Sequence, residues 1–527
     1  MATNRVYEWV DERTGIKPAL DYVMYRRLPK SANWFFTLGS ASMTVFLVQA
    51  ITGIFLAMGY SPSTAPVPIE VTKADGVTKV QVTSTEALES IRHLTDNVLM
   101  GDWIRGLHHW GANAMVILVV LHMLRVFFMG SYKYPRELTW FLGVFLLLMV
   151  IGFSFTGYLL PWDNRAYWAT QVGINIGGSA PLLGDLVATV LRGGPTLGAA
   201  TLTRFYAIHV LILPTLTGLL MGLHLFLVIK IGISGQPKYR ETVTNDLFES
   251  VSPDGKKSGK AFFPYIIFKD AVVSALVVVA IVLFTIFVPF GNTNPADPQN
   301  NYDAVSGGKF EPRPEWYFLF LFQFLKIVPN IDAIGLTSKA IGGVLIPTVV
   351  IGILFFIPYI DRGAKRHPFN RPITTVVTLA ILIGIVAMTV VSMVESPGDL
   401  TQATDSTGKA IPVPGGIEKP WADAKSIKPI LSIAPTPTAA PAAPLPAAAQ
   451  AGLTIFQAKC TMCHLKDGKG DGGIGLNLST SPNAGTEAYI RSVIAVGSPN
   501  KKMPAPGTFT PQEVNNLVAY VLAIRAK

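Results

Sequence analysis

The sequence predicts an all-α polytopic membrane protein of seven transmembrane helices, followed by a small α-helical domain outside the membrane. Half of the 527 residues are hydrophobic and only 14% are charged, a composition that soluble chains of this length rarely have. Seven apolar runs are long enough to span a bilayer: approximately 34–59, 111–129, 139–160, 206–229, 264–290, 340–359 and 373–394. An eighth run, 316–328, is too short to span and is predicted to form a surface or re-entrant helix.

The distribution of basic residues predicts the orientation. The formal net charge is +10, and Lys and Arg concentrate in the connections after spans two, four and six, for example at Lys133, Lys238 and Arg366. By the positive-inside rule these connections are cytoplasmic, which places the N-terminus inside and the C-terminal domain outside. The clustering favours membrane topology over a nucleic-acid partner as the origin of the charge. Residues 1–30 are polar and amphipathic, which predicts a segment on the inner surface rather than a cleavable signal peptide.

Composition divides the chain into four parts. We expect a four-helix membrane domain at 1–235 and a three-helix membrane domain at 236–396. Residues 397–450 are rich in Pro, Ala, Ser and Thr and have no means of building a core, so they are predicted to form an extended linker. A compact helical unit follows at 451–527.

Four histidines lie in the second and fourth spans at matched spacing: His108 and His122 are 14 residues apart, His209 and His224 are 15 apart. At the helical rise, these steps place two imidazoles about 21 Å apart on roughly one face of each helix. The topology pairs His108 with His209 at the outer level and His122 with His224 at the inner level. Fourteen residues return to within about 40° of the starting face and thirteen miss it by about 140°, so His108 is preferred to His109.

A lone intramembrane histidine is more often a hydrogen-bonded structural residue, but four at this spacing predict two stacked bis-histidine sites. Such sites suit two noncovalent haems b that pass electrons across the membrane.

Glycines and arginines support the two levels. Two glycine pairs in the first and third spans repeat the 14-residue interval: Gly39 with Gly53, and Gly143 with Gly157. Because glycine destabilises a helix, we expect the macrocycles to press against these positions; small-residue helix packing is the alternative, but it leaves the interval unexplained. Arg105 and Arg125 each lie three residues from a histidine, where they could bind haem propionates or extend to the lipid headgroups.

The C-terminal unit contains Cys460-Thr-Met-Cys463-His464, the CxxCH motif of covalent haem c attachment. A chance or zinc-binding CxxC is the alternative. His464 is the predicted iron ligand, and Met503 is the predicted sixth ligand, although it could be a core or surface methionine. The chain has only these two cysteines, so any cysteine-ligated iron–sulfur cluster must belong to a partner.

Several stretches resemble cytochrome b of quinol-oxidising bc-type complexes. LHHW, LHMLRVF, YKYPRELTW, GYLLPWDNRAYWA and TLTRFYAIH look like its haem-bearing half, 1–235, and Pro314-Glu315-Trp316-Tyr317 looks like the PEWY motif of its C-terminal half, 236–396. The 15-residue histidine interval and the three spans of the second half resemble the plastid form, which carries that half on a separate subunit. Residues 451–527 are similar to class I cytochromes c, so the arrangement resembles a cytochrome b with a cytochrome c fused behind it.

The resemblance implies a subunit of a quinol:cytochrome c oxidoreductase in the bacterial cytoplasmic membrane, active only with a Rieske iron–sulfur partner. Quinol would be oxidised at the outer face by the PEWY residues and Tyr158, with Glu315 accepting a proton; a helix-capping role is the alternative for Glu315. One electron would go to the Rieske protein and on through the haem c to a soluble cytochrome c or similar acceptor. The other would cross through the two haems b to an inner quinone site near Asp21 and Lys230, and turnover would build a proton-motive force. The resemblance also implies a homodimer in contact with lipid and quinone.

The chain departs from the plastid pattern at two positions. Thr37 stands where that type has a cysteine that holds an extra covalent haem, and Ile229 stands where it has a basic residue, which leaves Lys230 as the nearest charge. We therefore expect no covalent haem there and a different inner quinone site. The loop 61–104 contains an alternating segment, IEVTKADGVTKVQVT, that predicts a β-hairpin.

Two other functions are compatible with the four histidines. A b-type anchor of a dehydrogenase or hydrogenase would pass electrons to quinone without dividing them, and would need neither the PEWY motif nor spans five to seven. An assembly or sensor haem protein would need no carboxylate at position 315.

Overall fold

The computed structural model shows two compact units, Met1–Pro429 and Ile430–Lys527. Within them the structure describes residues 2–72, 79–194, 196–242, 259–288, 290–291, 295, 302–303, 308–310, 314–331, 337–395, 403–404, 446–460, 478, 486–496 and 509–525.

The predicted all-α membrane architecture is confirmed. Among the residues that the structure describes, seven helical segments are long and apolar enough to cross a membrane: Trp34–Gly59, Gly101–Phe128, Glu137–Leu159, Ala199–Ile231, Phe262–Phe287, Lys339–Ile360 and Pro372–Val394. The second segment begins ten residues before the predicted run 111–129. Its first turns carry Asp102, Arg105 and His108, so a count of apolar residues misses them.

The helices of the first unit are α1 (Ala2–Thr14), α2 (Ile16–Met24), α3 (Leu38–Gly59), α4 (Glu86–Asn97), α5 (Gly101–Phe128), α6 (Glu137–Leu159), α7 (Asn164–Gly178), α8 (Gly184–Arg192), α9 (Ala199–Ala207), α10 (Leu213–Ile231), α11 (Ile267–Phe287), α12 (Trp316–Ile327), α13 (Ile346–Ile360) and α14 (Pro372–Glu395). Short 3₁₀ turns precede α3 (Trp34–Thr37) and α14 (Pro368–Asn370), and π turns precede α10 (Ile208–Ile212), α11 (Phe262–Ile266) and α13 (Lys339–Leu345). The short helix α12 matches the apolar run that is too short to span.

The strands are short and pair in antiparallel fashion. They are β1 (Arg27–Leu28) with β4 (Lys260–Ala261), β2 (Pro66–Thr72) with β3 (Lys79–Thr85), and β5 (Tyr302–Asp303), β6 (Gly308–Phe310) and β7 (Ala403–Thr404) in one small sheet. The pair β2–β3 is the predicted hairpin, with Ile69 opposite Val82. It leads into α4, whose Ala87 belongs to a buried cluster with Trp162 and Phe205, so the hairpin is anchored to the membrane unit.

The π turn at Ile208–Ile212 explains the unequal histidine intervals. A π turn accommodates one extra residue in a helix, so 15 residues that include part of it cover nearly the rise and rotation that 14 residues cover in α5. Pro214 follows directly, and proline has no N–H with which to continue the α-helical hydrogen bonds. The turn therefore gives His209 and His224 nearly the same separation along the helix axis, and nearly the same rotation about it, as His108 and His122.

A buried charged cluster joins the connection between α5 and α6 to the connection between α13 and α14. Lys133 Nζ and Arg371 Nη1 each lie 2.8 Å from an oxygen of Asp361, and the Tyr132 hydroxyl donates to the same carboxylate. The Arg371 guanidinium also donates to the Phe127 carbonyl at 2.9 Å and so caps the C-terminus of α5. We call Tyr132, Lys133, Asp361 and Arg371 the charged latch, because it fastens the C-terminal membrane half to the histidine-bearing half.

The second unit contains three described helices: α15 (Ala447–Lys459), α16 (Glu487–Val496) and α17 (Pro511–Arg525). At the crossing of α15 and α17, a Cβ on Gly452 would lie 1.9 Å from the Asn516 carbonyl oxygen, so only glycine fits there. Phe456 and Tyr520 stack nearby with ring centroids 5.0 Å apart. The predicted helical start and end of this unit are therefore packed together.

We expect Asp361→Asn to destabilise the protein by about 3–5 kcal/mol, because it leaves two buried cations without their shared counter-charge. Burial acts to raise the pKa of Asp361, but hydrogen bonds from Lys133, Tyr132 and Arg371 outweigh it and lower that pKa below its usual range. The latch should thus be at full strength above about pH 4 and weaken only below it. Thermal unfolding in detergent measures both effects, and Asp185→Asn on exposed α8 is the control. Equal melting temperatures for Asp361→Asn and the wild type would contradict a stabilising role for the charged latch.

Candidate functional site

The outer histidines face each other across the helix bundle. The ring centroids of His108 on α5 and His209 in the π turn before α10 are 6.5 Å apart, and the rings are inclined by 70°. Two metal–imidazole bonds of about 2 Å and about 1 Å from each nitrogen to its ring centre require roughly 6 Å. The spacing of the two rings would therefore allow both imidazoles to hold one haem iron.

Two threonines set the protonation of this pair. Thr52 Oγ1 and Thr156 Oγ1 lie 2.9 Å from Nδ1 of His108 and His209, respectively. Each hydroxyl can donate its proton to a carbonyl four residues earlier in its own helix, at 2.7 and 2.8 Å, and it then accepts from Nδ1–H in the tautomer that carries the proton on Nδ1. Each Nε2 is then left with the lone pair that an iron requires.

The four spaced glycines contact the four imidazoles. A Cβ built on each glycine would lie close to the Cε1 atom of one ring: 3.2 Å for Gly53 and His108, 2.5 Å for Gly157 and His209, 3.1 Å for Gly39 and His122, and 3.5 Å for Gly143 and His224. The glycine interval thus copies the histidine interval because each glycine makes room for one ring. Sequence reasoning ascribed the interval to the macrocycles and missed these ring contacts.

The arginines beside the histidines lie at both levels. The Arg125 guanidinium stacks 3.7 Å from the Phe36 ring, and its buried Nε finds no hydrogen-bond partner within the described part of the chain. An anionic propionate would satisfy such an atom. Arg105 lies 5.0 Å from the Phe290 ring, and His109 stacks on the same ring with centroids 4.5 Å apart. His109 therefore packs against Phe290 rather than pairing with His209.

The PEWY segment forms a second site, where α12 begins. Pro314 is buried, and Glu315 occupies the N-cap position of α12, but its carboxylate makes no capping hydrogen bond among the described residues. Instead, Glu315 Oε1 accepts a hydrogen bond from Arg165 Nη1 at 3.2 Å. The alternative role of Glu315 as a capping acid therefore has no support.

Residues from three other elements surround this carboxylate. The Tyr158 hydroxyl at the end of α6 donates to the Arg165 carbonyl at 2.9 Å. Trp316 Nε1 donates to Asn113 Oδ1 on α5 at 2.7 Å, and burial together with Glu315 raises the pKa of Tyr317 above its ordinary value. Burial opposes the charge of Arg165, but the carboxylates of Glu315 and Asp163 outweigh it and raise the pKa of Arg165.

Sequence reasoning did not single out Arg165, whose guanidinium contacts the Glu315 carboxylate. It is the only Lys or Arg between Glu137 and Leu191, and it lies just after the third span, on the side where basic residues are scarce. An isolated cation in that place is the signal that could have identified it.

The two residues predicted for the inner quinone site lie on different helices. Asp21 lies part-buried on α2, and the exposed Lys230 lies 5.6 Å from the Phe226 ring in the last turns of α10. A better-placed acid is Asp270 near the start of α11, which accepts a hydrogen bond from Ser40 at 2.7 Å and interacts electrostatically with Arg26. A single acid near the start of an apolar span is a signal that the sequence carries.

Thr37 and the CxxCH motif complete the predicted sites. The Thr37 side chain is buried and donates to the Trp34 carbonyl at 2.7 Å. Cys460 lies at the end of α15, where its amide donates to the Phe456 carbonyl. Cys463, His464 and Met503 lie outside the described residues.

A helical membrane unit that brings His108 and His209 together, and that sets a glycine beside each of four histidines within its spans, is typical of haem-binding membrane cytochromes. Comparisons with known proteins identify the family. Residues 113–295 match "Cytochrome b(N-terminal)/b6/petB", residues 311–406 match "Cytochrome b(C-terminal)/b6/petD", and residues 447–521 match "Cytochrome C oxidase, cbb3-type, subunit III".

Three relatives agree with these matches. The chain is 32% identical to the cytochrome bc complex cytochrome b subunit of Chlorobaculum thiosulfatiphilum over 71% of this chain and 77% of that protein. It is 40% identical to the menaquinol:cytochrome c reductase cytochrome b subunit of Bacillus subtilis over 44% of this chain and 98% of that one. A solved structure, the hyperthermophilic respiratory Complex III, superposes with a TM-score of 0.59 at 26% identity, covering 73% of this chain and 91% of the solved chain.

The chain belongs to the cytochrome b family and carries a cytochrome c domain behind it. Such domains imply b-type haems in the membrane unit and a haem c in the second unit.

We expect Gly157→Ala to lower the b-type haem content of the purified protein by about half, because the new methyl group would displace one of two imidazole sites. Gly218→Ala is the matched control, since a Cβ at that membrane position meets nothing within 4 Å. Pyridine haemochrome spectra measure the content. Full haem content in Gly157→Ala would show that the glycine is not needed to seat His209.

Proposed function

We propose that this chain is the cytochrome b/c fusion subunit of a quinol:cytochrome c oxidoreductase that oxidises quinol at the outer face of a bacterial cytoplasmic membrane. The observation that carries the proposal is a hydrogen bond between the PEWY segment and α5, the helix that carries His108. Trp316 Nε1 donates a hydrogen bond to Asn113 Oδ1, and Asn113 Nδ2 donates to the His109 carbonyl at 2.9 Å. The carboxylate of Glu315 and the outer histidine pair thus belong to one connected structure.

Quinol oxidation releases two protons and two electrons, and the residues of the outer site are suited to the protons. The Glu315 carboxylate can accept one proton from a quinol hydroxyl, while Pro314, Trp316, Tyr317 and Tyr158 supply aromatic and apolar surface for the quinone ring. When bound, haem b at His108/His209 and at His122/His224 and haem c at Cys460, Cys463, His464 and Met503 supply one-electron carriers.

At the end of the helix bundle opposite Glu315, acidic and basic side chains can supply protons to a quinone. Asp270, with Ser40 and Arg26, forms a polar site near the cytoplasmic start of α11, and Asp21 and Lys230 are further candidates. Proton release outside and uptake inside, with electrons crossing between, would build a proton-motive force.

The proposal includes partners and orientation. A Rieske iron–sulfur protein would take the first electron, since both cysteines of this chain are assigned to the haem c. A soluble cytochrome c or similar protein would accept electrons from the fused domain, and the complex would be a homodimer with its N-termini in the cytoplasm. The names of the relatives, cytochrome bc complex and menaquinol:cytochrome c reductase, support this assignment.

We expect Glu315→Gln to lower quinol:cytochrome c reductase activity of the purified complex by about 10²-fold or more, as for loss of a positioned acid–base group. Haem content and redox spectra should stay unchanged. Glu89→Gln is the control, because Glu89 pairs with Arg92 on α4 with a similar degree of burial. Wild-type activity in Glu315→Gln would contradict the proposed role, and a wild-type complex that oxidises no quinol would refute the proposed function itself.

A further inference from the structure

We propose that Arg165 is a positioning residue of the quinol-oxidising site: its ion pair holds the Glu315 carboxylate facing the site, and releases it once the carboxylate has taken a proton. This inference rests on the function proposed above and adds to it a control on the proton acceptor.

The geometry of the ion pair supports this role. Arg165 Nη1 lies 3.2 Å from Glu315 Oε1, and the two side chains are only 16% and 20% exposed. Attraction between opposite charges is stronger in such a part-buried place than in bulk water. Glu315 precedes the first turn of α12, and in this proposal its side chain rotates when the attraction is lost.

Arg165 itself is held from two directions. It sits in the first turn of α7, whose N-cap residue Asp163 accepts a hydrogen bond from the Ala166 amide at 2.9 Å. The Tyr158 hydroxyl binds the Arg165 carbonyl. The backbone of Arg165 is therefore held in place at the start of α7.

Other charged or titratable groups face the pair from each neighbouring element. They are Tyr158 on α6, Asp163 before α7, Tyr317 on α12, and His109 and Arg105 on α5. Asp163 is the second carboxylate that interacts with Arg165, so the guanidinium keeps an anionic neighbour after Glu315 becomes neutral.

Proton transfer from quinol to Glu315 breaks one O–H bond and forms another. A quinol O–H bond breaks, its electron pair stays on the quinol oxygen, and a new O–H bond forms on Glu315. The neutral carboxylic acid no longer attracts the guanidinium as a charge, so the ion pair is lost. Glu315 can then turn away from Arg165 and give its proton to water at the outer surface, which restores the carboxylate.

The test compares Arg165→Gln, Arg165→Lys and the control Arg92→Gln in the purified complex. Because Arg165→Gln removes a cation 3.2 Å from the proton-accepting carboxylate, the acid limb of the rate–pH profile should move upward by about one pH unit or more. Quinol oxidation near neutral pH should fall about tenfold. Arg165→Lys keeps the charge and should restore the position of the limb, and Arg92→Gln should leave it unchanged.

An infrared readout separates this inference from the proposed function. The carboxylic acid band of Glu315, identified by its loss in Glu315→Gln, should appear at a higher pH in Arg165→Gln than in the wild type, whether or not quinol turns over. A profile and a band that both keep their wild-type pH in Arg165→Gln, with intact haem spectra, would overturn the role of Arg165. A shifted band in a complex that oxidises no quinol would refute the function and uphold the ion-pair control.

Discussion

The four intramembrane imidazoles, held in two pairs at fixed depths, constrain much of the membrane unit. Each ring needs space, so a glycine faces it from the neighbouring helix, at Gly39, Gly53, Gly143 and Gly157. At the outer level each Nδ1–H also needs an acceptor, which Thr52 and Thr156 supply from the residues just before two of those glycines. Helical rise then fixes the interval, and the π turn at Ile208–Ile212 corrects the one helix whose interval differs.

A second constraint is the joining of the C-terminal half to this bundle. The PEWY segment can serve an outer site only if α12 is held against α5, which the Trp316–Asn113 bond achieves. At the other end, the charged latch binds Asp361 and Arg371 to the connection after α5. Opposite ends of the two halves are thus fastened by polar contacts. Hydrogen bonds also join their spans, from Thr44 to Ser274 at 3.0 Å and from Trp140 to the Leu354 carbonyl at 2.7 Å.

Sequence patterns predicted the features that follow from periodicity and composition. Apolar runs gave the seven spans, and alternation gave the hairpin around Ile69 and Val82. Helical angle alone preferred His108 to His109, and the structure places the ring centroids of His108 and His209 6.5 Å apart.

The contacts missed by sequence reasoning join residues far apart in the chain. Arg165 and Glu315 are 150 residues apart, and Lys133 and Asp361 are 228 apart. Periodicity within one helix carries no information about such pairs. The Thr-Gly dipeptides at 52–53 and 156–157 were visible in the sequence, but their meaning depends on which helix carries the facing histidine.

The most direct test of two imidazole-paired sites in one chain is a redox-titrated optical spectrum of the purified complex, with haem quantitation and a haem stain of the denatured chain. The proposed function predicts two b-type haems, lost on denaturation, and one covalent c-type haem per chain. Fewer than two b-type haems would contradict the two histidine pairs. A second covalent haem would contradict the expectation that Thr37, in place of a cysteine, holds no covalent haem.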